Sequence, residues 1–231
     1  MTVEAVLFDW GGTLTPWLTV DTRRIWVEAA RRVDPDRAEE LGGRLATADG
    51  ALWQRSKAEF HAFTQEDVFR EAGIPLSTAA LDTLREEWEH ATFTDPQVPG
   101  MLAALRERGL SVGILSNTPW PREWHEGWLR RDGVLDSFDG SVFTSEIPWN
   151  KPHAEAFRAG MAAIGVTRPQ SCVYVGDRLF EDVWGPQQLG MRAVHIPHSV
   201  IPPEQGGHTQ GVPDATIQEL AELAAVLDSW A

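Results

Sequence analysis

The run Val6-Leu7-Phe8-Asp9-Trp10-Gly11-Gly12-Thr13-Leu14 limits what this chain can fold into more than any other stretch. An apolar run this short predicts a strand buried on both faces, and it ends in a carboxylate and then a glycine pair. Asp9 therefore sits at a strand's C-terminal tip. In open parallel sheets ligands bind at that edge, and glycines let the backbone turn sharply and approach a substrate closely. The position suits a nucleophile, although Asp9 alone also fits a turn residue capping the next segment.

At 231 residues the chain has room for one full α/β domain and a smaller insertion, without disulfides or metals to stabilise it. Its 34 acidic residues against 20 basic ones give a net charge of −14, which repels nucleic acid and anionic membranes. Any phosphate site must then be built locally, from a few cations or a metal. Cys172, the sole cysteine, lies in the apolar run Cys172-Val173-Tyr174-Val175, so core packing is its expected role. There is no basic, apolar leader and no membrane-length apolar stretch, and the expectation is a soluble cytoplasmic protein.

After Leu14 the strand pattern gives way to helical spacing. Ile25, Trp26, Ala29, Ala30 and Val33 mark one stripe, and Leu41, Leu45, Ala48 and Leu52 a second. Val68, Phe69 and Ala72 predict a short helix ended by Gly73. Leu81, Leu84, Trp88 and Ala91 predict another, with Ser77 or Thr78 as its cap. Residues 16–94 read as a helical insert between the two parts of a core, 1–15 and 95–231. In the second part Val112 to Leu115 predicts a strand ending in Ser116-Asn117-Thr118. Ser141 to Phe143 predicts a further strand, and its loop delivers Lys151-Pro152. Cys172 to Val175 runs into Gly176-Asp177, and Ala193 to Ile196 closes the alternation. Residues 197–213, with four prolines and three glycines, predict a surface loop. A final helix follows, with Asp214 as its cap and Ile217, Leu220, Leu223, Ala224 and Leu227 facing inward.

If these strands are parallel neighbours, Asp9, Ser116, Lys151 and Asp177 gather at one edge of the sheet. In order and spacing the four stretches resemble the motifs of the haloacid dehalogenase (HAD) superfamily, over roughly residues 3–15 and 96–198. The resemblance implies a Rossmann-like parallel sheet in strand order 5-4-1-2-3 between layers of helices, with the insert as a mobile cap domain. It also implies an Mg²⁺-dependent hydrolase acting on a small phosphorylated molecule. Asp9 would attack phosphorus and form an aspartyl-phosphate that water then cleaves. Mg²⁺ would be held by Asp9, the Gly11 carbonyl and Asp177, with Asp182 and Glu181 steadying these ligands. Ser116, Asn117 and Gly12 would bind the phosphoryl oxygens, and Lys151 would neutralise the remaining charge. Lys57 and Lys151 are the only lysines, and a compact ammonium fits beside a carboxylate where a forked guanidinium does not.

The departure is Gly11. Phosphatases of the family carry a second Asp at this position to protonate the leaving oxygen, and losing a general acid costs about 10²–10⁴ in rate. Three expectations follow. A phosphatase could use a good leaving group, or a cap side chain such as His61, to supply the proton. A phosphonatase-like carbon–phosphorus hydrolase would need a Schiff-base lysine, for which Lys57 is the candidate. A catalytically weakened binding or regulatory protein would retain the motifs without turnover. Dehalogenation fits less well, since those enzymes need no metal. Of the 11 tryptophans, Trp10, Trp17, Trp120, Trp149 and Trp184 follow motif positions closely and would line an apolar pocket unless they are core. His153, His195, His198 and His208 lack metal-like spacing and are expected at the surface or in loops.

Overall fold

The computed structural model describes residues 2–197 and 210–230. His198 and His208 lie outside them, as does most of the expected 197–213 loop. The core is one six-stranded sheet built from β1 (Ala5–Phe8), β2 (Ser111–Ser116), β3 (Gly140–Phe143), β4 (Cys172–Gly176), β5 (Arg192–His195) and β6 (Ala215–Thr216). The strand order is β3-β2-β1-β4-β5-β6 and every neighbouring pair is parallel. This is the expected order with one short strand added at the β5 edge. Central β1 pairs Val6 with both Val112 and Val173. Parallel strands covered by helices on both faces need no polar alternation, which is why β1 and β4 are buried throughout.

The two-residue period of a strand divides the core in two. Ala5, Leu7 and Tyr174 face one side, where Phe157 and Met161 of α7 (Ala154–Ala163) cover them. Val6, Phe8, Val112 and Val175 face the other, against Leu102 and Leu105 of α5 (Val98–Glu107) and Leu223 of α9 (Leu223–Asp228). Helix α6 (Arg122–Arg131) follows β2, and a short α8 (Gly185–Gln187) precedes β5, after a π-helical turn, Leu179–Trp184.

Between β1 and α5 the described chain has no strand. It forms α1 (Thr22–Arg31), α2 (Ala38–Glu59), α3 (Gln65–Glu71) and α4 (Thr78–Trp88). The apolar stripes meet as expected: Ile25, Trp26, Ala29 and Ala30 pack in one cluster with Leu41, Leu45 and Ala48. Asp21 caps α1, Thr64 and Asp67 form a capping box on α3, and Ser77 rather than Thr78 caps α4. No helix among the described residues is long and apolar enough to cross a membrane.

Asp214 corrects the sequence reading. Its carboxylate accepts the Ala193 N–H at 2.8 Å and the Gln187 amide at 3.0 Å, so it ties down the sheet edge. The following residues pair with β5, which satisfies their backbone without a helix. The last helix starts later, after a 3₁₀ turn whose capping box is formed by Glu219 and Glu222. Ile217, Leu220, Leu223 and Leu227 are buried as expected, while Ala224 is half-buried.

Candidate active site

Because β1, β2 and β4 run parallel and side by side, their C-terminal ends share one edge. Asp9 follows β1, Ser116 ends β2 and Asp177 follows β4. The Asp9 N–H donates to the Val175 carbonyl at 2.9 Å, which fixes its backbone to the neighbouring strand. Lys151 arrives on the loop between β3 and α7 through a cis Lys151–Pro152 bond, and all four side chains are buried. The Lys151 ammonium donates to Asp9 Oδ1 at 2.8 Å, Asp182 Oδ1 at 2.7 Å and the Tyr174 hydroxyl at 2.8 Å. Tyr174 in turn donates to the Leu115 carbonyl at 2.6 Å. The main chain of Lys151 is clamped by the Asn117 amide, which accepts the Lys151 N–H at 2.8 Å and donates to its carbonyl at 3.0 Å.

Asp9, Asp177 and Asp182 each present an oxygen within 4.8 Å of the other two. A Cβ on Gly176 would lie 2.4 Å from Asp182, so the close approach of this carboxylate to β4 requires glycine there. Asp182 also accepts the Arg178 N–H at 2.9 Å. Neither oxygen of Asp177 has a hydrogen-bond partner among the described residues. Three carboxylates and one ammonium sum to −2, an arrangement that a water-poor site tolerates poorly. Burial, with Asp9 and Asp182 close by, raises the Asp177 pKa well above the carboxylate range. Burial, partly offset by Lys151, brings Asp182 up to about 6. Burial works against the Lys151 ammonium, yet Asp182 and Asp9 outweigh it and hold its pKa well above the usual value. An all-carboxylate donor set around an unpartnered buried carboxylate fits a hard divalent cation, which would cancel the residual charge. Glu181 is not part of this cluster; one of its oxygens is buried without a partner among the described residues.

The loop after Asp9 turns back tightly. The Trp10 carbonyl accepts the N–H groups of Leu14 at 2.9 Å and Thr15 at 3.0 Å, and Gly12 adopts φ 87°, a left-handed conformation favouring glycine. The Gly12 N–H is given to the Thr15 carbonyl at 2.9 Å, which removes the donor that the sequence reading assigned to a phosphoryl group. The N–H groups of Trp10 and Gly11 have no acceptor among the described residues. A Cβ placed on Gly11 meets nothing within 4 Å, so the space of the missing acid is open.

The tryptophans divide. Trp10 turns into the core, stacked on Trp128 at 5.7 Å and edge-on to His125 at 4.9 Å, and Trp120 joins the same cluster. Trp10 is thereby buried and Trp120 half-buried, since indoles this large pack best against one another. Trp17 lies beneath the Arg178 guanidinium at 5.2 Å, Trp149 stacks between His61 and His153, and Trp184 stacks on Phe180. Lys57 is exposed on the last turn of α2, its pKa lowered by partial desolvation and by the charge of Arg178. Two contributors escaped the sequence reading. Tyr174 was visible only as a lone hydroxyl in an apolar strand. His195, expected at the surface, ends β5 half-buried and donates to the Asp177 carbonyl at 3.0 Å.

Known proteins resemble this chain in sequence and in fold. A family profile described as haloacid dehalogenase-like hydrolase matches residues 3–190. A glyceraldehyde 3-phosphate phosphatase from Methanopyrus kandleri is 32% identical over 57% of this chain and 55% of its own, so the match spans about half that relative. Another protein of that name, from Methanothermobacter thermautotrophicus, is 26% identical over 97% of this chain and all (100%) of its own. The solved structure of an HAD phosphatase from Thermococcus onnurineus superposes with a TM-score of 0.67 at 26% identity, covering 97% of this chain and 98% of that one. An L-2-haloacid dehalogenase from Xanthobacter autotrophicus shares the fold at 20% identity and a TM-score of 0.65, over 100% of both chains. On its sequence and its fold, the chain belongs to the haloacid dehalogenase-like hydrolases.

Proposed function

We propose that this hydrolase is an Mg²⁺-dependent phosphatase of a small phosphorylated metabolite that works through an aspartyl-phosphate on Asp9. The observation that carries the reading is Asp177, a buried carboxylate with both oxygens unpartnered, within 4.8 Å of the oxygens of Asp9 and Asp182. Asp9, Asp177 and the Gly11 carbonyl would hold the ion, which supplies the positive charge that lets one anion approach another. Lys151 orients the Asp9 carboxylate for attack through the 2.8 Å contact. The N–H groups of Trp10 and Gly11 and the Ser116 hydroxyl would receive phosphoryl oxygens. Asn117 serves by fixing the Lys151 backbone. In the first step the Asp9 oxygen bonds to phosphorus as the ester oxygen leaves, taking its proton from solvent or from the substrate, since Gly11 has none to give. Water then cleaves the acyl phosphate and regenerates Asp9.

Residues 16–94 act in this reading as a cap over a core of 1–15 and 95–231. The relatives named glyceraldehyde 3-phosphate phosphatase support a small phosphomonoester as the substrate. Dehalogenation is disfavoured because three converging carboxylates do nothing for a metal-free displacement. Lys57, exposed in part and with its pKa lowered by desolvation and by Arg178, keeps a Schiff-base carbon–phosphorus hydrolase as the second reading. The test is phosphate release from p-nitrophenyl phosphate with Mg²⁺, abolished by EDTA and by Asp9→Asn. Chloride release from 2-chloropropionate in EDTA, or borohydride inactivation with phosphonoacetaldehyde dependent on Lys57, would replace this reading. A protein that takes up Mg²⁺ without turning over any of these substrates would be a binding module.

A further inference from the structure

The loop that carries Lys151 is fastened from the other side by the helical segment. Ser56, buried in the last turn of α2, accepts a hydrogen bond from the Asn150 side-chain amide at 2.5 Å. The Asn150 N–H donates to the Phe60 carbonyl at 2.7 Å, and the Ala62 N–H donates to the Pro148 carbonyl at 3.0 Å. The chain presents the Phe60 carbonyl because α2 ends abruptly: Phe60 takes φ 59°, a left-handed cap seen at no other non-glycine residue among those described, and its N–H returns to Ser56. Outside these bonds the His61 ring stacks on Trp149 at 4.5 Å. Asn150 is thus buried between the end of α2 and the residue whose ammonium touches Asp9. Asn117 clamps the peptide of Lys151 from the β2 side, and Ser56 holds the preceding residue from the α2 side.

We propose that Ser56 and Asn150 form a latch through which the helical segment positions the Lys151 ammonium. With the latch made, Lys151 is seated between Asp9 and Asp182; with it broken, residues 148–151 lose their outer support and the ammonium leaves the carboxylates. Asn150 and Ser56 are positioning residues, since neither touches the reacting atoms. Any movement of α2 that parts Ser56 from Asn150 then withdraws the charge that the nucleophile depends on, so closure and catalytic competence are one event. The inference rests on the phosphatase reading only for what Lys151 does there. Where Lys151 sits is a separate matter, and it can be read without turnover.

The test uses Ser56→Ala, Asn150→Ala, the double variant and Ser56→Thr, which keeps the hydroxyl. Lysine acetylation followed by peptide mass analysis reports the seating of Lys151 directly, because the chain has only one other lysine, the exposed Lys57, as internal reference. The expected result is at least tenfold faster labelling of Lys151 relative to Lys57 in both alanine variants and in the double variant, with no further increase on combining them, and recovery in Ser56→Thr. On p-nitrophenyl phosphate with Mg²⁺, kcat should fall on the order of 10²-fold with KM little changed, again non-additively. A contact that only stabilises the fold would lower the melting temperature and leave both the labelling ratio and kcat at wild-type values, and that outcome overturns the latch. If Asn150→Ala does not fold, the Ser56 pair decides alone. If the wild type hydrolyses no phosphomonoester, the phosphatase reading fails and the labelling ratio still decides the latch.

Discussion

Tyr174 and Lys151 are joined by a buried hydrogen bond of 2.8 Å, in which the phenol accepts from the ammonium while giving its own proton to the Leu115 carbonyl 2.6 Å away. The phenol therefore links the Lys151 ammonium to the strand that ends in Ser116. Removing it leaves one ammonium proton and one carbonyl without this partner in a dry site. Tyr174→Phe should lose about 1–3 kcal/mol of stability and about tenfold in kcat. Urea denaturation beside steady-state kinetics checks this, and a stability loss with unchanged kcat would make Tyr174 structural only.

Lys151 itself neutralises one of three adjacent carboxylates. Lys151→Ala leaves Asp9 and Asp182 without the ammonium that bridges them, beside the third carboxylate of Asp177. The expected cost is about 3–5 kcal/mol of stability and about 10³-fold in kcat. Lys151→Arg should rescue neither in full, because a planar fork does not fit a pocket shaped around three convergent oxygens. Thermal melting and phosphate release measure both.

The open space above Gly11 turns the missing acid into an experiment. Gly11→Asp should fold with stability close to wild type and raise kcat on an alkyl phosphate such as glycerol phosphate by about 10², with little effect on p-nitrophenyl phosphate, whose leaving group needs no proton. Equal effects on the two substrates would show that leaving-group protonation does not limit the enzyme.

His125 makes stability depend on pH. Burial, helped by Arg122 and opposed by the Pro121 carbonyl, lowers its pKa from 6.5 to about 3. Below pH 6.5 the unfolded chain takes up a proton that the native ring refuses, so stability contributed above that pH is lost as pH falls toward 3. At pH 5 the loss is about 2 kcal/mol. His125→Phe keeps the stack on Phe143 and the packing against Trp10, and the Pro121 carbonyl retains the Trp124 N–H at 3.1 Å. The variant should match wild type near pH 8 and exceed it by about 2 kcal/mol at pH 5, measured by urea unfolding followed through tryptophan fluorescence. Parallel pH profiles would refute the assignment.

The sequence by itself determined the parallel sheet, the order of its central strands, the helical segment and the convergence of Asp9, Ser116, Lys151 and Asp177. The strand order came with the resemblance to the HAD superfamily; the rest follows from short-range chemistry, apolar runs of strand length ended by polar residues that fall at one edge once the strands pair in parallel. Tertiary structure alone decided the rest. Asp214 carries a good helix-capping side chain, yet β5 offered its backbone first. Gly12 carries an N–H suited to an anion, yet Thr15 already accepts it. Trp10 adjoins the nucleophile in sequence and faces the core in space. Tyr174, His195 and the Ser56–Asn150 contact act through partners 18 to 94 residues away along the chain. A hydrogen bond at that separation exists only when two surfaces are already packed, and nothing in local spacing reports which surfaces those are.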